Sequence, residues 1–179
     1  MFICCVAREC SYAIGISTAV KGHIAYLDDT DVVYPAGHMI VRLDTETRVQ
    51  RLLQGALNSH NITAIATSSN RRFTAFAETL GDRPPLITVY EWPAKRRRKV
   101  INTIDIGSPA VYGMSFSGDG KYLLLVGGSP EWSLLCVHWE KGKVAAKISG
   151  LGSIVSTSFV CVCGLLRNRC MAPEIGLLL

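Results

Sequence analysis

The chain has 179 residues, 49% of them hydrophobic and 18% charged, with 19 Lys and Arg against 14 Asp and Glu for a net charge of +5. That balance excludes a disordered polyelectrolyte and predicts a packed core, and the length suits one ordinary domain or a short array of smaller units. Seven cysteines gathered near the two ends around Cys136 exclude the even framework of a small secreted disulfide protein and favour a reducing, intracellular setting.

Residues 1–20 form an N-terminal segment. Its start, MFICCVARECSYAIG, breaks the apolar stretch at Arg8-Glu9 and does not read as a signal peptide. From 21 to 160 the chain repeats itself. SSNRRFTAFAE at 68–78 returns 49 residues later as SGDGKYLLLVG, and three copies of a longer unit start near His23, Ile62 and Val111. Each copy consists of four runs rich in Val, Ile, Leu, Tyr or Phe, parted by Gly, Pro, Asn, Asp or Ser, the pattern of antiparallel strands and their turns. In the second copy the strands are expected at 62–67, 72–78, 86–92 and 99–106. In the third they are expected at 111–116, 121–127, 134–140 and 143–149. Ser-Ser-Asn before Arg71 and Ser-Gly-Asp-Gly before Lys121 supply residues that bond their own backbone or tolerate left-handed conformations, so they reverse the chain at low cost. Residues 153–160, SIVSTSFV, look like the first strand of a fourth unit. After Val160 the rhythm stops, and 161–179 reads as a divergent, Cys-containing tail foreign to the repeat.

The third strand of each copy ends in an apolar residue followed by an acid, Leu43-Asp44, Tyr90-Glu91 and Trp139-Glu140, at separations of 47 and 49. A four-stranded unit of this period with such an ending resembles the WD-repeat blade of a β-propeller. The fold class expected is therefore all-β, a partial propeller of about three four-stranded antiparallel blades plus one strand. The repeats are degenerate, since only Gly22-His23 matches the blade-start pair and no third strand ends in Trp-Asp. Three blades do not close a propeller, which takes four to eight, so self-association through an open blade edge is expected.

Tyr-Pro-Ala-Gly-His at 34–38, Asn-Arg-Arg at 70–72 and Trp-Glu-Lys at 139–141 lie within longer strings, including VVYPAGHMIVRLDTETRVQRLLQG and MSFSGDGKYLLLVGGSPEWSLLCVHWEKGKV. Together they resemble the first blades of the WD-repeat cilia- and flagella-associated protein 57 family. The resemblance implies a ciliary or flagellar axoneme protein, cytoplasmic otherwise, and a non-catalytic interaction scaffold. It implies partners among inner-arm dynein components and doublet microtubule proteins, with a role in inner dynein arm positioning and ciliary motility. It also implies relatives with tandem propellers followed by coiled coil, of which this sequence carries only the early blades. A generic intracellular WD-repeat adaptor and a truncated product without a function of its own are the alternatives.

Lys95, Arg96, Arg97, Arg98 and Lys99 form the one dense basic run, placed by the expected strands in a loop between the third and fourth strands of the second blade. A solvated loop is the simpler account of it. A partner-binding patch for an acidic surface is the functional one. No aromatic platform interleaves the charges, so no nucleic-acid partner is expected. No membrane span is expected either, because the uncharged stretch 148–166 is interrupted by Ser, Thr and Gly. Cys161, Cys163 and Cys170 lack the two-residue spacing of a zinc knuckle, and His23, His38 and His138 read as strand and turn histidines, so neither metal nor cofactor is expected. No nucleophile elbow, Walker loop or zinc-protease helix occurs. Glu78, Asp82 and Glu91 are expected to be solvated acids, and Trp92, Trp132 and Trp139 to be blade packing.

Overall fold

The structure, a computed structural model, describes residues 24–150 except 57, 93 and 95, together with 13, 15 and 20. The expectations for Gly22-His23, the membrane-length stretch beyond 150, the strand at 153–160 and the cysteine tail lie outside the described residues. Among the described residues, twelve strands follow one another in three meanders. The first sheet holds β1 (Ala25–Tyr26), β2 (Asp31–Ala36), β3 (Met39–Asp44) and β4 (Gln50–Gln54); the second holds β5 (Asn61–Thr67), β6 (Phe73–Leu80), β7 (Arg83–Glu91) and β8 (Arg96–Asn102). The third holds β9 (Val111–Phe116), β10 (Tyr122–Gly127), β11 (Leu134–His138) and β12 (Lys143–Ile148). All pairings are antiparallel between chain neighbours. The described residues contain no α-helix, only a single 3₁₀ turn at Ile104–Ile106. The fold is that of partial propeller blades, three sheets that do not close on themselves.

The echo in the sequence is an echo in hydrogen bonding. At the β5–β6 turn Ser68 Oγ accepts from the N–H of Phe73 at 2.9 Å, and Asn70 Oδ1 accepts from the N–H of Arg72 at 3.0 Å. At the β9–β10 turn Ser117 Oγ accepts from Tyr122 at 2.9 Å and Asp119 Oδ1 from Lys121 at 3.1 Å. Every donor and acceptor is displaced by the same 49 residues. The left-handed corner is Arg71 (φ 55°) in one turn and Gly120 (φ 71°) in the other, so the second blade sets a bulky residue where glycine is strain-free.

Strand pairing revises the repeat alignment. Phe73 and Tyr122 open equivalent strands, and they pair with Glu91 and His138 respectively. Glu91 therefore corresponds to His138, and Trp92 to Trp139, rather than Tyr90-Glu91 to Trp139-Glu140. Two residues fewer lie between the paired positions of the third blade, a deletion that the spacing of the acids concealed. Both tryptophans reach back over the preceding hairpin, Trp92 Nε1 donating to Thr74 Oγ1 at 3.1 Å and Trp139 Nε1 to the Gly120 carbonyl at 2.6 Å.

The core lies in two seams between the sheets. Val33 and Ile40 of the first sheet meet Ile62, Ile65, Phe76 and Tyr90 of the second in one. In the other, Ala64, Ala66, Ala75 and Ala77 present a low surface to Phe116, Leu123, Leu125, Leu135 and Trp139. Small residues on one sheet admit large ones from the next, which lets two twisted sheets approach without voids. Strand alternation sends β6 residues by turns to the two seams: Phe73, Ala75 and Ala77 to the third blade, Phe76 to the first. Trp92 and Trp139 are buried as expected, whereas Trp132 is only half-buried and stacks on Tyr112 at 6.3 Å.

Candidate functional site

Glu91 closes β7, opposite Phe73 on one neighbouring strand and Arg96 on the other. The register thereby sets a carboxylate beside the start of β8 and beside Arg72, the last residue before β6. Arg72 Nε and Nη2 donate to Glu91 Oε1 at 3.1 and 2.7 Å. Arg96 Nε donates to Oε2 at 2.9 Å, and Arg98 Nη1 stands 3.8 Å from the same oxygen. Three guanidinium groups thus surround one carboxylate, three positive charges against one negative. The Glu91 side chain is 5% exposed, while those of Arg72, Arg96 and Arg98 are 60%, 59% and 46% exposed. The acid is covered by the cations that it holds. The hydrogen bonds from Arg72, then those from Arg96, keep the Glu91 carboxyl below the usual carboxylate range.

This geometry corrects the expected basic loop. Arg96 to Lys99 are strand residues of β8, the outermost strand of the second sheet, because the ladder to β7 continues past the turn as far as Glu91–Arg96. A bulge against Val89 and Tyr90 accommodates the extra residue. The run is dispersed: Arg96 and Arg98 go to Glu91, Arg97 pairs opposite Tyr90, and Lys99 is half-buried near the β11–β12 turn, where a Cβ on Gly142 would lie 3.5 Å from its Cε. Lys95 lies outside the described residues. Arg72 joins the cluster from the far side of the β6–β7 hairpin, a membership that the linear run does not suggest. Its only trace in the sequence is its place in the repeated turn.

Glu78 and Glu91 are not solvated acids. Glu78 is fully buried on β6 and faces the seam with the first blade. Its Oε2 accepts from the Ala56 N–H at 2.7 Å and its Oε1 from the Thr88 hydroxyl at 2.9 Å, tying the linker between blades to the second sheet. A Cβ on Gly55 would come within 2.6 Å of that carboxylate, so glycine is required there by close approach. Asp82 is exposed at the β6–β7 hairpin. Glu78 and Glu91 sit on opposite faces of one sheet and each is saturated by fixed donors, an arrangement for holding strands rather than moving protons. Burial raises the Tyr90 hydroxyl pKa, with the Glu78 charge adding to it, and burial pushes the Cys136 thiol up. Among the described residues no three His, Cys, Asp or Glu side chains gather to hold a metal, and no helix is long and apolar enough to cross a membrane.

No family model matches the sequence. Among curated proteins the chain is similar to cilia- and flagella-associated protein 57 of Mus musculus, 32% identical over 145 residues, which is 80% of this chain and 12% of the relative. It is 25% identical over 150 residues to cilia- and flagella-associated protein 57 C of Tetrahymena thermophila, covering 78% of this chain and 11% of that protein. With cilia- and flagella-associated protein 44 of Mus musculus it shares 25% identity over 131 residues, 73% of this chain and 7% of the relative. The chain spans only about a tenth of the length of these proteins.

Proposed function

Because this chain is homologous, over 80% of its length, to the cilia- and flagella-associated protein 57 family, we propose that it is a non-catalytic interaction scaffold of the ciliary or flagellar axoneme. Its blades would dock among inner-arm dynein components and doublet microtubule proteins and so help to position inner dynein arms for motility. The observation that carries the reading is the coincidence of that homology with blade-like antiparallel sheets, among the described residues, whose buried acids are held by hydrogen bonds between strands. A scaffold needs fixed surfaces and needs no reactive group, since affinity comes from shape and a few anchors.

Within this reading 21–160 forms the blade region, flanked by the N-terminal segment 1–20 and the tail 161–179. Ile24, Tyr26 and Val49 on the first blade and Tyr112, Tyr122, Val144 and Ile148 on the third are exposed. Apolar surface on both end blades supports self-association, or pairing with blades of another chain. Sizing over a range of concentrations tests this: a growing apparent mass is expected, and a sharp monomer at all concentrations with one cooperative melt counts against it. For the axonemal role, the tagged chain is expressed in a ciliated cell and the axonemes are extracted with detergent. Retention in the axoneme is the expected result, and a fully soluble, cytosolic chain would overturn the proposal.

A further inference from the structure

We infer that Arg72, Arg96 and Arg98, arranged on the buried Glu91 carboxylate, form a preorganised binding site for a carboxylate-rich peptide segment of a partner protein. This site stands independently of where in the cell the chain resides. Arg72 and Arg96 each spend Nε and one terminal nitrogen on Glu91, within 3.1 Å, which fixes the plane and direction of each fork. Their other terminal nitrogens are left unengaged by Glu91. Arg98 makes only a 3.8 Å ion pair, so its donors stay free of Glu91 as well. Exposures of 46% to 60% put these donors in reach of solvent and hence of a ligand.

A planar guanidinium held by one carboxylate and presenting its remaining N–H groups is suited to a second carboxylate, and holding the fork in advance lowers the ordering cost of binding. The local excess of two positive charges is not compensated by another acid in the cluster. The neighbouring Arg71 is already paired, 3.8 Å from the exposed Asp29 of the first blade, and adds nothing to that excess. A carboxylate-rich segment matches this cluster of cations. The charges carry no interleaved stacking platform of the kind that unstacked bases need, since Trp92 is buried beneath the sheet surface and Phe73 is already covered by Trp139 at 4.9 Å and by the Arg72 guanidinium at 5.5 Å.

The test is fluorescence anisotropy of labelled decaglutamate with the purified full chain at low and moderate salt, the fold of each variant being checked by its circular dichroism melt. Arg98→Gln, which removes no hydrogen bond to Glu91, is expected to weaken binding about 3- to 10-fold, and the double variant with Arg72→Gln more than 10-fold. Arg83→Gln, an exposed arginine at the other end of the same blade, is expected to change it less than 2-fold. Glu91→Gln separates a built site from bulk charge. It makes the chain more positive yet releases the forks, so weaker binding is expected. Tighter binding by Glu91→Gln, equal losses for Arg83→Gln and Arg98→Gln, or preferential binding of a single-stranded oligonucleotide of equal charge would each overturn the inference.

Discussion

The two seams of this molecule are built from the same repeat yet rest on different physics. Between the second and third blades the facing side chains are apolar, alanines of one sheet receiving Phe116, Leu123, Leu125 and Trp139 of the next. Polar bonds enter where the Ser133 hydroxyl donates to the Ile106 carbonyl and Ser108 Oγ accepts from the Gly128 N–H. Between the first and second blades buried polar groups enter the seam: Glu78 bonded to Ala56 and Thr88, Trp92 to Thr74, and Asp31 paired with Arg42, whose guanidinium carbon lies 5.9 Å from the Trp92 ring centroid. One seam answers mainly to volume, its polar bonds lying at its margins. The other answers also to whether the groups bonded to Glu78 and Trp92 keep their partners. Blades of one period are thus joined by interfaces of different tolerance.

The apolar seam should break hardest at its largest residue. Trp139→Ala is expected to cost about 3–5 kcal/mol, read from the urea midpoint, because it opens a cavity against Phe73 and Phe116 and frees the Gly120 carbonyl. A loss under about 1 kcal/mol would mean that the seam is loosely packed. The polar seam should show a different signature. Glu78→Ala leaves the Ala56 N–H and the Thr88 hydroxyl without their acceptor and is expected to cost about 2–4 kcal/mol, whereas Glu78→Leu combined with Thr88→Val recovers part of that loss. Additive losses in the double variant would show that the carboxylate acts as filler rather than as an acceptor.

Filling rather than emptying sharpens the contrast. Ala75→Leu, fully buried and facing the third blade, is expected to cost about 1–3 kcal/mol by overpacking, measured by thermal melting. An unchanged melt would mean that the alanine face has room to spare. The smallest effect concerns pH. The carboxyl of Glu91 is depressed below its unfolded value of about 4.3, so its contribution to stability is present above that value and is lost as pH falls through the folded pKa. The stability difference between the wild type and Glu91→Gln should therefore shrink on acidification below about pH 4. A difference that grows there would contradict the arginine pairing.

Much of the fold was legible because period-2 alternation and turn chemistry are local. The strand at 111–116 matches β9 throughout, and the paired serine turns at 68 and 117 close the same way. The fourth strand of the second blade was expected at 99–106 but runs over Arg96–Asn102, because the pairing of Glu91 with Arg96 draws the arginines into the ladder and Thr103, bonded to the Pro85 carbonyl at 2.6 Å, ends it. The third strand starts at Arg83 rather than 86, since Gly81 with φ 70° permits a tight hairpin. The candidate site was half legible. A run of like charge is visible along the chain, but the acid that organises it and Arg72 that completes it are neighbours only across strands.

The three four-stranded units of the described residues, the chemistry of their turns and the kinship of the chain can be read from the residues alone, since each is carried within roughly 50 residues. Only the tertiary structure decided which acids are buried, which arginines share a carboxylate, and that Trp92 corresponds to Trp139. Those outcomes depend on strand register and on which face meets the next blade. A one-residue shift in register reverses every side chain, so they become fixed when the sheets pair and stack.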